Sequence, residues 1–296
     1  KHYLKTKEAV EKLSNTQVLG GIVRDESIAM EQRHLGLIPA VEQERISSLV
    51  DKWGQTISEN IDLDLLMEIM DNSEKVPDEY EPIWLEEKNR EKTTVAVPFD
   101  EAFNFYYNEN LEALEYNNAK IEYFSPIHDE HLPDADALYI GGGYPEIFKK
   151  ELSSNKSMLE SIKKFSQDNH PVYAECGGLM YLTKSIDGFE AVGVYPYKSS
   201  LTKKVQGLSY TIAEVIKDNP FTKKGTTYHG HEFHYSKVDY TGGSVDDFAF
   251  KMKRGVGING EYDGLLKNNT LASYVHTHTS CVVDFAYNFT RLARQI

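Results

Sequence analysis

Cysteine is nearly absent: Cys176 and Cys281 are the two that 296 residues contain. That scarcity argues against a disulfide framework and makes a reducing cytoplasm the expected compartment. No apolar run approaches the ~20 residues of a membrane span, and Lys1-His2-Tyr3-Leu4-Lys5 holds no apolar segment of the kind a secretory leader uses. Cations are short as well, 32 Lys and Arg against 46 Asp and Glu, for a formal charge of -14. Nucleic-acid backbones are held by clustered Lys and Arg, so general nucleic-acid binding is not expected. An anionic small substrate stays open, because a local basic pocket can outweigh the global field. Internal repeats and low-complexity tracts are missing too. What is there is an ordinary globular composition, 40% hydrophobic and 26% charged.

The pattern along the chain changes twice. Residues 1–70 read as helix, strand, turn and a mostly helical stretch. In it, Gln17 to Val23 has the character of a buried strand, and Leu63, Leu66, Met67 and Met70 fall at helical spacing. Residues 71–92, polar and carrying Pro77 and Pro82, suit a linker. From Thr93 to residue 296, strands alternate with helices. Thr94–Val97, Ile121–Phe124, Ala137–Ile140 and Pro171–Ala174 read as strands. Phe103, Tyr107, Leu111 and Leu114 read as one helical face, and Met158, Ile162 and Phe165 as another. After residue 190 strand-like segments dominate, including Tyr210–Ile216 and Leu271–Val275. Repeated βα units predict an α/β fold with a largely parallel sheet, and sites at the carboxyl ends of its strands.

One of those ends carries chemistry. In Ala174-Glu175-Cys176-Gly177-Gly178-Leu179 an apolar strand runs into a cysteine, two glycines and a helical pattern. That is the pattern of a nucleophile elbow, where a tight turn lifts one side chain above the sheet edge. A helix amino terminus beyond it should favour the thiolate and lower the thiol pKa. Alternatively, Cys176 is a small buried core residue. The turn Gly141-Gly142-Gly143-Tyr144-Pro145-Glu146 adds context. Gly142 and Gly143, with Gly177 after the nucleophile, can aim backbone N–H groups at an oxyanion. It is not a phosphate-binding P-loop, since no Gly-Lys-Ser/Thr follows.

Near the carboxyl terminus, Ser273-Tyr274-Val275-His276-Thr277-His278 offers a base for the thiol. A further group, His229, His231 and His234, brings the histidines in the two clusters to five and raises the rival of a zinc site. The segment alternates like a strand and does not match His-Glu-x-x-His on a helix, so no metal is expected.

These motifs, taken with Arg33-His34-Leu35-Gly36-Leu37-Ile38-Pro39-Ala40, Asp100 to Tyr107, Phe124-Ser125-Pro126 and Gly230 to Ser236, give the chain a family likeness over nearly its whole length. It resembles the cobyrinic acid a,c-diamide synthases, including relatives that amidate nickel-sirohydrochlorin. The resemblance implies a class I glutamine amidotransferase-like (flavodoxin-like) domain over 93–296. Before it would stand the tail of a dethiobiotin-synthetase-like α/β domain over 1–70. It implies glutamine and a tetrapyrrole polycarboxylate as substrates, Cys176 forming a thioester, and His276 as its base. His278 stands where an ordinary triad has its carboxylate, which agrees with this branch. ATP and Mg²⁺ belong to the synthetase half, whose P-loop does not occur here. The chain is therefore expected to be a piece of a longer protein, separated from its amino-terminal synthetase partner domain and binding no cofactor itself. Within the same likeness, Phe103, Phe105, Tyr106 and Tyr107 could face a flat tetrapyrrole, with Arg33 or His34 pairing to its carboxylates. The other reading of those aromatics is simple helix packing. His231 and His234 are marked by the likeness alone, as substrate or interdomain residues. A cobyric acid synthase-type enzyme is the neighbouring alternative. The metal, cobalt or nickel, and a homodimer both stay open.

Overall fold

The computed structural model describes residues 2–30, 32–33, 36–37, 46–75 and 91–295. The chain divides into two compact units, Lys1–Glu81 and Pro82–Ile296. The first contains α1 (His2–Ser14), α2 (Ile46–Asn60), α3 (Leu63–Asp71) and an antiparallel pair, Gln32–Arg33 with Gly36–Leu37. Asp62 caps α3 by accepting the Leu65 N–H. The buried strand expected over Gln17–Val23 does not form. That segment finds a single bridge, Gly20 to Ile61, and leaves Val23 80% exposed. An apolar run becomes a strand only where a neighbour supplies a ladder, and none lies beside it among the described residues.

The second unit is a three-layer α/β body. The strands of its main sheet are β1 (Thr93–Pro98), β2 (Ala119–Phe124), β3 (Ala137–Ile140), β4 (Val172–Glu175), β5 (Gly207–Val215) and β6 (Thr227–His234). They continue with β7 (Phe248–Arg254), β8 (Tyr262–Lys267), β9 (Thr270–Ser273) and β10 (His276–Thr277). All join one sheet in the order β10-β6-β5-β7-β8-β9-β4-β3-β1-β2. The half from β9 to β2 is parallel, and β3 and β4 are buried at every residue, as central parallel strands must be. The other half is antiparallel, so the sheet is mixed and not largely parallel. Between residues 207 and 273 no α-helix intervenes to make a parallel crossover, so strands turn back on their neighbours.

Helices cover both faces. α4 (Asn108–Tyr116) and α8 (Phe285–Ala293) bury Leu111, Leu114, Phe285 and Phe289 on one face. On the other, α6 (Lys156–Gln167) and α7 (Gly177–Leu182) bury Met158, Ile162, Leu179 and Met180, with α5 (Lys149–Ser154) alongside. The helical face expected from Phe103 onward begins later, at Asn108. Asp100 accepts the N–H groups of Ala102 (2.8 Å), Phe103 (3.1 Å) and Ile127 (3.1 Å) and the Ser125 hydroxyl (2.8 Å). That turn draws Phe103–Phe105 into a short strand paired with Gly142–Gly143. The glycine turn is thereby fixed beside the end of β3.

Candidate active site

Cys176 sits between β4 and α7 at φ 49° and ψ -96°, a conformation costly for a residue with a Cβ. The strain is held by neighbours: its N–H donates to Ser273 O (2.8 Å), and the Gly178 N–H donates to Gly141 O (3.1 Å). Glycine is needed next to it. A Cβ on Gly178 would lie 2.5 Å from Ile140 O, and one on Gly177 would lie 3.0 Å from Gly143 N. The turn of Gly142 and Gly143 therefore packs directly on the elbow. The thiol is buried, with Phe233 O at 4.0 Å. Burial pushes its pKa up, and Glu146 adds to that. The expectation that the helix would lower it is overturned, because six residues of helix do not offset removal from water. At rest this is a neutral thiol that needs a base.

His276 lies on β10 opposite His231 of β6, three residues beyond the strand end to which Cys176 is bonded. The two rings stack at 4.9 Å and 14°. Its Cε1 would lie 2.7 Å from a Cβ on Gly142, so the ring is held between His231 and the glycine turn. Burial, with His231 and His234 nearby, depresses its pKa to about 3, so at neutral pH it is an unprotonated base. No hydrogen bond joins it to the thiol; such bonds are often loose until substrate arrives. Its Nδ1 stands 3.9 Å from Glu175 Oε2. His278 lies elsewhere: its Nδ1 bonds Ser280, and its ring meets Tyr107 edge-on at 4.9 Å.

The remaining expected residues scatter. Tyr107 approaches His231 Nδ1 at 3.3 Å, and both line a cavity of about 350 Å³ with Tyr210, His229, Arg254 and His276. Tyr106 donates its hydroxyl to Pro98 O (2.6 Å) and accepts the Gly141 N–H (3.0 Å), bracing the glycine turn. Phe103 is wholly buried, so the four aromatics do not form one open surface. His234 is also buried, stacked 3.7 Å from Tyr274, with Nδ1 bonded to Ser236 O. Arg33 lies on a two-residue strand, while its side chain and all of His34 fall outside the described residues. Among the described residues no group of three His, Cys, Asp or Glu is placed to hold a metal, and no helix is long and apolar enough to cross a membrane.

Residues 94–281 match the CobB/CobQ-like glutamine amidotransferase domain. The chain belongs to that family. It is 78% identical to a cobyrinate a,c-diamide synthase of Methanosphaera stadtmanae over 99% of its own length and 65% of the relative's. A protein of the same name from Methanothermobacter thermautotrophicus is 53% identical over 99% of this chain and 65% of that one. The chain thus spans about 65% of the length of the curated relatives it matches. A solved structure of PurLQS from Thermotoga maritima overlays with a TM-score of 0.49 at 16% identity, covering 69% of this chain and 99% of that one.

Three buried polar residues shape the site, and of these Glu232 alone falls in a motif marked by the sequence, Gly230 to Ser236. Asn110 donates to Thr277 O (2.8 Å) and accepts the Thr279 N–H (2.8 Å), pinning the backbone after His276. Glu232 accepts the N–H groups of Val256 and Gly257. Asp263 accepts the Tyr274 N–H, two residues before His276. Burial pushes Asp263 up to about 7. An acid whose folded pKa lies above its unfolded value favours folding at low pH and loses that contribution as pH rises through about 7. Urea midpoints at pH 5 and pH 8 should therefore show Asp263→Asn gaining on the wild type as pH rises. A constant difference would rule out this linkage.

Proposed function

We propose that this chain is the ammonia-producing part of an enzyme that amidates the a and c acetate side chains of a tetrapyrrole with glutamine nitrogen. The supporting observation is the strained, buried Cys176 set against the glycine turn, with the unprotonated His276 at the adjoining strand end. His276 takes the thiol proton as sulfur attacks the glutamine amide carbon. The oxyanion is met by N–H groups from Gly177 and from Gly142 or Gly143. The C–N bond then breaks, the imidazolium returns its proton to the leaving ammonia, and a glutamyl thioester remains. Water, deprotonated by His276, cleaves the thioester to glutamate and restores the thiol.

The tetrapyrrole rests on the names of the relatives, which match across nearly the whole chain. ATP with Mg²⁺ would activate the acceptor carboxylate. The 296 residues contain no Gly-Lys-Ser or Gly-Lys-Thr, so no residue here is assigned to the nucleotide. The first unit is read as the end of the synthetase part, 71–92 as a linker, and the cytoplasm as the compartment. The test is to give the intact protein glutamine, ATP and Mg²⁺ with cobyrinic acid or nickel-sirohydrochlorin and to weigh the products. Diamide from either supports the reading, and diamide from neither sinks it. Amidation only of an acceptor that already carries the a,c-diamide would favour the cobyric acid synthase type.

A further inference from the structure

At the end of β4, Glu175 and the Cys176 that follows it point to opposite faces of the sheet. Ala174 and Cys176 join the core beneath α6 and α7, whereas Tyr173 belongs to the core beneath α4 and α8, the side to which strand alternation sends Glu175. Glu175 is 2% exposed, and no Lys or Arg is paired with it among the described residues. A buried carboxyl without a cation is costly unless its oxygens are satisfied. Here they are. Oε1 accepts the Tyr173 hydroxyl (3.0 Å) and the Thr277 N–H (3.0 Å). Oε2 accepts the Tyr139 hydroxyl (3.0 Å) and faces His276 Nδ1 at 3.9 Å.

We infer that Glu175 is the positioning carboxylate of His276, filling the part that position 278 does not fill. The inference rests on the Cys176–His276 reading given above. Two separate contacts carry it. Through the Thr277 N–H, Glu175 fixes the backbone immediately after His276. Through Oε2 it faces Nδ1, so a proton held on Nδ1 leaves Nε2 as the lone pair available to the thiol. His278 is turned toward Tyr107 and Glu109. Among the described residues Glu175 is the carboxylate within ion-pair distance of His276. Burial raises the Glu175 carboxyl to about 7, and its ionised form also answers a problem of the site. His276 is buried against His231, so the imidazolium formed when the thiol loses its proton needs a neighbouring anion. A plug of similar shape, such as glutamine, would fill the space without meeting that need.

The test compares variants of the intact protein by glutamine hydrolysis and by iodoacetamide alkylation of Cys176, followed on its own peptide by mass. Glu175→Gln should lower kcat by about 30-fold or more while KM stays within about threefold, the range expected when proton transfer is impaired and binding is not. Alkylation of Cys176 should slow in parallel. In a His276→Ala background, Glu175→Gln should add no more than about a twofold loss, since a residue acting through His276 has nothing left to act on. Equal losses in both backgrounds, or an unchanged kcat, overturn the inference. Should the glutamine variant not fold, Tyr139→Phe removes one donor to Oε2 and decides instead. A severalfold kcat loss that vanishes without His276 supports the role; no loss, or one that persists without His276, overturns it. Full activity in both Cys176→Ala and His276→Ala would instead refute the underlying reading of the site, a result distinguishable from failure of Glu175→Gln alone.

Discussion

Replacing Cys176 by serine is expected to abolish glutamine-driven amidation while amidation from added ammonia continues. The change swaps sulfur for oxygen in a side chain of nearly the same shape but buries a hydroxyl, so stability should fall by about 1–3 kcal/mol. Reactivity should fall much further. Burial already pushes the thiol up, and a hydroxyl is far harder to ionise than a thiol in the same surroundings. The hydroxyl therefore gives its proton to His276 much less readily than the thiol does and is the poorer nucleophile at an amide carbon. A loss of about 1000-fold or more in glutamine hydrolysis corresponds to about 4 kcal/mol of barrier, within reach of losing one nucleophile. Free ammonia needs no thioester, so the acceptor reaction should persist in the intact protein. The measurement is amide product formed from glutamine and from ammonium chloride, side by side. Surviving glutamine-driven product would remove Cys176 from the mechanism.

The parts of this site that could be read in the sequence are those written locally. The apolar run into Cys176-Gly177-Gly178 marks a strand, a tight turn and a helix in one short segment, and each is where the pattern puts it. The glycine turn after β3 is legible for the same reason, whereas the strand expected over Leu271–Val275 ends at Ser273, and His276 lies on a separate two-residue strand paired with β6. Phe103 shows where local periodicity misleads. Its spacing to Tyr107, Leu111 and Leu114 is helical, but the Asp100 carboxylate bonds the backbone there and a turn wins. The thiol pKa was legible in neither sign nor size, because burial is a property of the packed sheet. Glu175 is the sharpest case. In sequence it is one flank of a cysteine motif, while its partners Tyr139 and Thr277 lie 36 and 102 residues away. Its surroundings follow from the parallel pairing of β3, β4 and β9, which no local pattern encodes.

Gly142→Ala should separate the chemistry of the site from its folding. A methyl group at this position would come 2.7 Å from His276 Cε1 and 3.3 Å from Phe105 Cβ. The first obstacle is the end of a side chain, so something can move, and what moves is the imidazole. Its other face is stacked on His231, and the backbone behind it is close-packed, since a Cβ on Gly230 would lie 2.2 Å from His276 O. The ring therefore cannot retreat far and must rotate away from the thiol. A displacement of about 1 Å at a reacting group can cost about 100-fold in rate, so glutamine hydrolysis should fall by at least that factor. The cost to stability should stay within about 1–3 kcal/mol, typical of overpacking. Gly143→Ala provides the contrast. There the obstacle is backbone, Ala102 O at 2.1 Å, and it cannot rotate aside, so that variant should lose the pairing of Gly142–Gly143 with Phe103–Phe105 and with it much of its stability. Thermal melts and glutamine hydrolysis measured on both variants decide the matter. If Gly142→Ala kept full activity, His276 would not be working from the position it occupies against the glycine turn.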